Sequence, residues 1–320
     1  MLTLDPLPAE HSDAIEPAAS PEVMLADGSW LSLAGLSIEQ LQQLQWEQEQ
    51  KFVHAMRSLP KGSQDRALVT GQAYDTVCAI LAAQLPAGEP LVMGLDPRYS
   101  RLVVELLNQQ INRGIGQPCF FEIGYGSGVM LKEVNDHGFP SSGIEVSTTM
   151  RNEAIGVLGE NFSDRLLLGD LRDVTKESLP NRPSLLYWND VFEHICPDEI
   201  SDYLDKIYEL LMPGGQLVTI TPNWLLRPSD VTSVFCPPRT EANGLHLKEY
   251  RLAEVTALLK QAGFRRVAAP LVVSRKRIYQ LGGGFRLGKQ WIEPLLDKLP
   301  VRPAHLLCRG LGLSCTIATK

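Results

Sequence analysis

The sequence predicts a doubly wound α/β sheet behind a helical N-terminal extension. Three observations carry this. From residue 119 onward, short apolar runs alternate with helical patterns, the order of strands and crossover helices in a parallel sheet. Residues 37–112 instead show helical spacing and helix caps. Between the two, FFEIGYGSGVM (120–130) passes from an apolar run through a glycine loop into a helical pattern.

Residues 1–35 are rich in Pro, Ala and acids without sustained periodicity, so a loosely ordered acidic segment is expected there. Ser37-Ile38-Glu39-Gln40 has the form of a capping box, in which two side chains satisfy free N–H groups at a helix start. Ile38, Leu41, Leu44, Phe52, Val53 and Met56 continue it as a helix to about residue 59. A second helix is expected over 71–85. A third runs from Asp96-Pro97, an N-cap followed by proline at the first helical position, to 112.

Strands are expected in CFFEIG (119–124), SGIEV (142–146), RLLLG (165–169), SLLYW (184–188) and GQLVTIT (215–221). Helices are expected over 150–158, over 197–211 with Pro197 at the first position, and over 252–262 before Gly263. Strands over 266–273 and 314–319 finish the pattern. The chain then divides into 1–35, a helical region 36–117 expected to form a lid or a homodimer contact, and a sheet domain 118–320. Substrate insertions are expected at about 224–247 and 275–313.

With 320 residues, 44% hydrophobic and 21% charged, the composition is that of an ordinary globular protein. Six cysteines without a CxxC pair suit buried thiols in a reducing compartment. The first residues lack a secretion signal and no apolar run nears the roughly 18 residues of a membrane span, so a cytoplasmic location is expected. The net charge of −7 is uneven: residues 1–50 hold nine acids and no Lys or Arg. No nucleic-acid partner is expected from this balance. Residues 265–289 hold seven basic residues and no acid. They form either a solvated surface or a rim that attracts an anionic acceptor.

Gly124, Gly126 and Gly128 let the backbone turn tightly and approach a ligand at the start of the following helix. A dinucleotide fingerprint would need glycine where Val129 stands. Glu145 ends the second strand, about 20 residues past the loop, where nucleotide-binding sheets keep a ribose acceptor. Asp170 ends the third strand and Glu122 precedes the loop. Acids at the carboxyl ends of successive strands fit the rule that ligands sit at that edge of a sheet.

These segments, with NDVFEHI (189–195), YELLMPGGQLVTITPN (208–223) and HLKEYRLAEVTALLKQAGF (246–264), resemble class I S-adenosylmethionine-dependent methyltransferases of the small-molecule and ubiquinone-pathway group. The resemblance covers residues 119–264. It implies a Rossmann-like seven-stranded sheet whose last strand runs antiparallel between its neighbours, and S-adenosyl-L-methionine as cofactor. It places Glu122 and the loop of Gly124, Tyr125, Gly126 and Gly128 at the methionine part. Glu145 with Val146 falls at the ribose, Asp170 with Leu171 at the adenine, and Asn189 with Asp190 near the cofactor's amino group.

Methyl transfer to a hydroxyl needs a base, or a metal that acidifies the hydroxyl, whereas an amine need only arrive unprotonated. Glu193 and His194 on the NDVFEHI turn and His246 in GLHLKEY are the candidates. Three readings stay open: pocket wall, direct acid–base work, or a divalent metal held by Asp190, Glu193, His194 and His246. In related RNA and ubiquinone O-methyltransferases a similar turn holds a metal, with Glu where Asp190 stands here. O-methylation of a sugar or other polyhydroxylated small molecule is the expected reaction. The alternative is an N- or C-methyltransferase on an amine or lipophilic metabolite, its lid lined by Trp46, Phe52 and Tyr74. A cofactor-binding scaffold without turnover is the third reading.

Overall fold

The computed structural model describes residues 22–320 except 87, 88, 90, 92–95 and 281–285, with backbone alone at 286–288. Residues 1–21 lie outside the described residues, as does the Gly282-Gly283-Gly284 run, which in the sequence reads either as the hinge of a lid or as a plain loop. Within the segment expected to be loosely ordered, β1 (Glu22–Met24) and β2 (Trp30–Ser32) pair as an antiparallel hairpin. Its turn is Asp27-Gly28, with Gly28 at φ 82°. Asp27 accepts from the N–H and hydroxyl of Ser29. Gly28 supplies the positive φ the turn needs, and the Asp27 side chain closes it through these hydrogen bonds. Val23 and Leu33 bury against Leu41 and Ile80, which holds the hairpin on the helices.

Helix α1 (Ile38–Ser58) starts with the expected capping box: Gln40 N–H donates to Ser37 Oγ at 3.2 Å, and Ser37 N–H to Gln40 Oε1 at 2.8 Å. Helix α2 (Gln64–Ala83) begins earlier than expected, because Ser63 caps it by accepting from Arg66 N–H. Helix α3 (Pro97–Asn112) is capped by Asp96 as expected. Its Leu102, Leu106 and Leu107 bury against Phe120 and Leu185, so α3 covers the sheet.

The remaining elements follow in order: β3 (Phe120–Ile123), α4 (Val129–Asp136), β4 (Ser141–Glu145), α5 (Thr148–Leu158), β5 (Leu166–Leu168), β6 (Leu185–Asn189), α6 (Ile200–Leu210) and β7 (Gln216–Ile220). Then come α7 (Thr232–Phe235), α8 (Leu252–Gln261), β8 (Arg266–Ala268), β9 (Val272–Val273), β10 (Ile278–Tyr279), α9 (Arg286–Leu296), α10 (Val301–Gly310) and β11 (Cys315–Thr319). The seven-stranded sheet has the order β5-β4-β3-β6-β7-β11-β8. All its pairings are parallel except those of β11, which is antiparallel to both β7 and β8. The chain winds from β3 outward through β4 and β5, then returns to β3's other side with β6.

Side-chain alternation sends Phe120, Leu185, Tyr187 and Val218 into one core, and Phe121, Leu186, Trp188 and Leu217 into the other. Both faces are thus apolar, which is why the central strands read as continuous hydrophobic runs. Three expectations need correction. The 197–211 helix starts at Ile200, so Pro197 lies before its first turn. NDVFEHI does not open a helix; it makes a single 3-10 turn, Phe192–His194. The strand expected over 266–273 stops at Ala268. Pro270 follows, unable to donate to a ladder, and the chain leaves for the separate β9–β10 hairpin.

Leu204 on α6 is fully buried in the larger core. Replacing it with Ala should cost about 2–5 kcal/mol through lost burial and an unfilled cavity. A denaturant melt with an unchanged slope and a lower midpoint is the expected result.

Candidate active site

The loop from β3 to α4 owes its shape to three separate demands for glycine. Gly124, at φ 69°, donates its N–H to Ile144 O at 2.8 Å. A Cβ there would lie 2.5 Å from Val191 Cγ2. Gly126, at φ 51°, donates its N–H to Glu145 Oε2 at 3.0 Å. Gly128, at φ 74°, caps α4, where a Cβ would fall 2.8 Å from Leu158 Cδ1. The turn therefore presses its backbone against β4, α5 and the β6 loop at once.

A cavity opens over this loop at the carboxyl ends of β3, β4 and β6. Glu122, Gly124, Tyr125, Gly126, Glu145, Val146, Leu171, Asn189 and Asp190 line it. Tyr125 is fixed by donating its hydroxyl to Leu167 O at 3.1 Å. Glu145 accepts three backbone N–H groups, from Gly126, Val146 and Ser147. Glu122 is buried with Oε2 left without a hydrogen-bond partner among the described residues. Desolvation, reinforced by Glu145, holds its carboxyl well above the usual carboxylate range.

Two expected residues stand outside this wall. Gly128 sits behind it at the helix start. Asp170 turns away: its carboxylate accepts from the backbone N–H and Nε of Arg172 and from the Tyr203 hydroxyl at 2.9 Å. Burial raises the Asp170 pKa, but the Arg172 hydrogen bonds outweigh it and hold it below the usual range. Arg172 continues to Glu199 at 2.6 Å, Glu199 to Arg66 of α2 at 3.2 Å, and Arg66 to Asp198 at 3.0 Å. Four further wall residues, Met56, Thr70, Tyr74 and Cys78, come from α1 and α2. Sequence reasoning missed all of these but Tyr74, since on a helix they look like core. Of the suspected lid aromatics, Phe52 is core, and Trp46 packs edge-on against Phe235 with ring centroids 4.7 Å apart.

Beside the cavity, Glu193, His194 and His246 converge, with one ligand atom from each within 4.8 Å of the others. Asp190 is not in that group; its carboxylate accepts from Asn189 Nδ2 at 3.1 Å, and the residue takes a left-handed φ of 52°. His194 donates Nδ1–H to Leu245 O at 2.9 Å, and its ring meets that of His246 edge-on at 4.7 Å. Desolvation and His246 press its pKa well below the ordinary histidine value, so it is neutral. His246 Nδ1 faces Glu249 Oε1 and Ser229 Oγ, each at 3.3 Å, and Nε2 faces Glu193 Oε1 at 4.0 Å. Burial pulls its pKa down, but the hydrogen bond to Glu249 and the charge of Glu193 raise it to about 9. Both Glu193 oxygens are buried and neither makes a hydrogen bond of ordinary geometry among the described residues, though Asp190 and the Thr221 hydroxyl stand close enough to act on it; desolvation raises its carboxyl to about 8.

The segment that carries His246 is held by α1. Leu245 N–H donates to Glu49 at 2.7 Å, and Arg57 donates to Leu247 O at 3.0 Å. A second cavity adjoins the first, with Asn189 and Asp190 in both walls. Its further wall comes from the 226–238 segment and from α10, and it holds the cations Arg98, Arg227 and Arg309. Of its described residues, the basic 265–289 segment contributes only Val273. Lys289 turns inward to the carbonyls of Pro270, Leu271 and Leu311, and Arg275, Lys276 and Arg277 stand exposed at a hairpin turn.

A family described as a methyltransferase domain matches residues 95–269, more than half of the chain. The chain belongs to that family. This methyltransferase uses S-adenosylmethionine as methyl donor. No curated protein matches it. Among solved structures it is similar to an S-adenosylmethionine-dependent methyltransferase from Archaeoglobus fulgidus, with 19% identity over 69% of this chain and 94% of that one, TM-score 0.43. It is also similar to CalS10, an amino pentose methyltransferase from Micromonospora echinaspora, with 21% identity over 39% of this chain and 50% of that one, TM-score 0.33. The mitomycin 7-O-methyltransferase MmcR shows 14% identity over 92% of this chain and 76% of that one, TM-score 0.44. At these levels none indicates what this enzyme methylates.

The first cavity fits the donor's chemistry. Glu122, buried with Oε2 lacking a partner among the described residues, offers a counter-charge to a cationic ligand, and Gly124 lets the loop backbone itself line the cavity. A carboxyl whose folded pKa is raised weakens the fold as pH climbs past its unfolded value. Glu122→Gln should therefore raise the melting temperature of the ligand-free enzyme at pH 8 and flatten its decline from pH 5 to 8. It should also shrink the stabilisation given by S-adenosylmethionine. Thermal melts with and without donor read both effects.

Proposed function

We propose that this methyltransferase methylates a hydroxyl of a small, polyhydroxylated, anionic acceptor held in the second cavity. The observation that carries the reading is the Glu193–His194–His246 group. It lies between the two cavities: His194 is in the wall of the first, while His246, buried behind the wall of the second, is 3.3 Å from Ser229 in that wall. A buried base at such a junction is of use to a hydroxyl acceptor, and an amine acceptor has no need of it.

When bound, S-adenosylmethionine supplies a methyl group on a sulfonium, ready for in-line displacement. The chain's own residues do the rest. Glu122 pairs with the donor's amino group, Glu145 accepts from its ribose hydroxyls, and Gly124 and Gly126 bring backbone against it. Leu171 flanks the base, while Asp170 acts from behind by fixing Arg172 and Tyr203. Tyr74, Met56 and Cys78 close the cavity against water, which protects the reacting centre and lowers its dielectric. Neutral His246 takes the acceptor's proton. Glu249 and Glu193 then stabilise the imidazolium, as their effect on its pKa requires.

The acceptor wall supports the remaining features. Ser229, Ser233, Ser314 and Thr221 offer hydroxyls, and Arg309 offers positive charge; Arg98 is already paired with Asp96, and Arg227 lies 3.8 Å from Asp297. His305 Nε2 is buried without a partner among the described residues, in the same wall. Arg227 is braced over Trp224 at 3.8 Å from the ring centroid. A second reading of the base cluster rests on the orphaned Glu193: with His194 and His246 it makes a set able to hold a divalent cation, whose charge would acidify the hydroxyl.

A labelled-methyl assay across sugar nucleotides, other polyols and amines, with and without chelator, tests the proposal. Transfer only to amines or carbon centres sinks the hydroxyl reading, and loss of turnover on chelation selects the cation reading. His246→Ala should lower kcat by roughly 10²–10⁴-fold with donor affinity unchanged. Because neutral His246 is the acting form, activity of the parent enzyme should rise with pH up to about 9. Arg309→Ala should raise the acceptor KM about tenfold or more, the loss of one charge-assisted hydrogen bond.

A further inference from the structure

The C-terminal part of the chain presents a face that neither cavity explains. From residue 265 to 320 there are eleven Lys and Arg against two acids, in a protein whose net charge is −7. Both acids are used internally. Glu293 is buried and accepts from Asn223 Nδ2 and Leu252 N–H, and Asp297 pairs with Arg251 at 2.8 Å. On α9, Trp291 is 77% exposed, with Leu295 and Ile292 beside it on the same helical face. On α10, Leu306 is 74% exposed next to exposed Leu307. Helix α10 packs on α9 and on β9, and the β9–β10 hairpin adds exposed Val272 and Tyr279. Around these apolar groups stand Arg275, Lys276, Lys298 and Arg302, all exposed and without an ion pair among the described residues.

Large apolar side chains in water are costly, and their clustering marks a surface that meets something. We propose that α9, α10 and the β9–β10 hairpin form a peripheral docking face for an anionic lipid bilayer. Exposed Trp and Leu interleaved with Lys and Arg is the composition that inserts shallowly among headgroups while its cations pair with anionic lipid. No described helix is long and apolar enough to cross a membrane, so attachment is to the surface only. A second copy of this chain fits less well. A two-fold interface sets the same patch against itself, and here that would oppose four unpaired cations to their duplicates. The proposal does not depend on which molecule is methylated. It does give α10 two faces, since His305 and Cys308 of the same helix line the acceptor cavity.

The test is flotation of the full chain with vesicles of phosphatidylcholine alone and of phosphatidylcholine with phosphatidylglycerol. Expected is capture by the anionic vesicles only, lost as salt is raised from about 0.1 M to about 1 M, where the screening length falls to ~3 Å. Two surface variants, Trp291→Ser with Leu306→Ser, and Arg275→Glu with Lys276→Glu, should each lower capture about tenfold. Both should keep the parent's thermal stabilisation by S-adenosylmethionine, which shows they are folded. Trp291 emission should shift to the blue on anionic vesicles, read as the difference from Trp291→Phe. Failure of the parent to float with anionic vesicles overturns the proposal. So does equal capture of the parent and both variants. So does a parent dimer, without vesicle capture, that the Trp291→Ser, Leu306→Ser variant converts to monomer.

Discussion

The site depends on one constraint: β3 and β6 lie side by side in parallel, while the chain leaves their carboxyl ends in opposite directions. Helix α4 carries it from β3 toward β4, and the 189–195 turn carries it from β6 toward β7. A crevice must open where such paths diverge, and ligands of doubly wound sheets sit there. Closing the crevice to the right width requires the β3 loop to lie against the β6 turn. Gly124 permits this, since any Cβ would run into Val191. The left-handed Asp190 does the same from the other side, turning the chain so that Asn189 and Asp190 face both cavities.

Burial then sets the chemistry. Glu122, Glu145 and Glu193 are carboxyls in places where water would otherwise solvate them, and they differ in what replaces the water. Glu145 has three backbone N–H donors. Asp170, nearby, has a guanidinium, which holds it ionised. Glu122 and Glu193 have unpaired oxygens. Leaving a buried acceptor unpaired is expensive, so these two positions are where ligand binding or proton transfer recovers most free energy.

The N-terminal helices turn a sheet edge into an enclosed site. Helix α2 is tied to the sheet by the Arg66–Glu199–Arg172–Asp170 chain, and α1 holds the His246 segment through Glu49 and Arg57. Such buried ion chains fix geometry more than they add stability, since desolvation offsets much of their attraction. Their effect here is positional: they fix α2 against the cavity wall, while the hydrogen bonds from α1 fix the His246 segment.

Much was legible in the sequence. The glycine loop, strand-end acids, alternation of apolar runs with helices, and caps at Ser37 and Asp96 are local signals, written within a few residues of where they act. The methyltransferase fold and its donor cavity follow from them, because a parallel sheet has one ligand-binding edge. Other features are products of tertiary contact. Nothing local told that Met56, Thr70 and Cys78 would face the cavity: apolar Met and Cys on a helix look alike whether they meet core or ligand, and a helical Thr can bond its hydroxyl to its own helix, as Thr70 does to Arg66 O. Asp170 sat at the right strand end, yet Arg172 two residues on claimed its carboxylate. The convergence of Glu193 with His246 spans more than fifty residues. It exists only because β6 and the segment before α8 end side by side. Sequence determined which groups are present and on which strands; only the folded chain decided which oxygens were left without partners, because partners come from segments far apart in sequence.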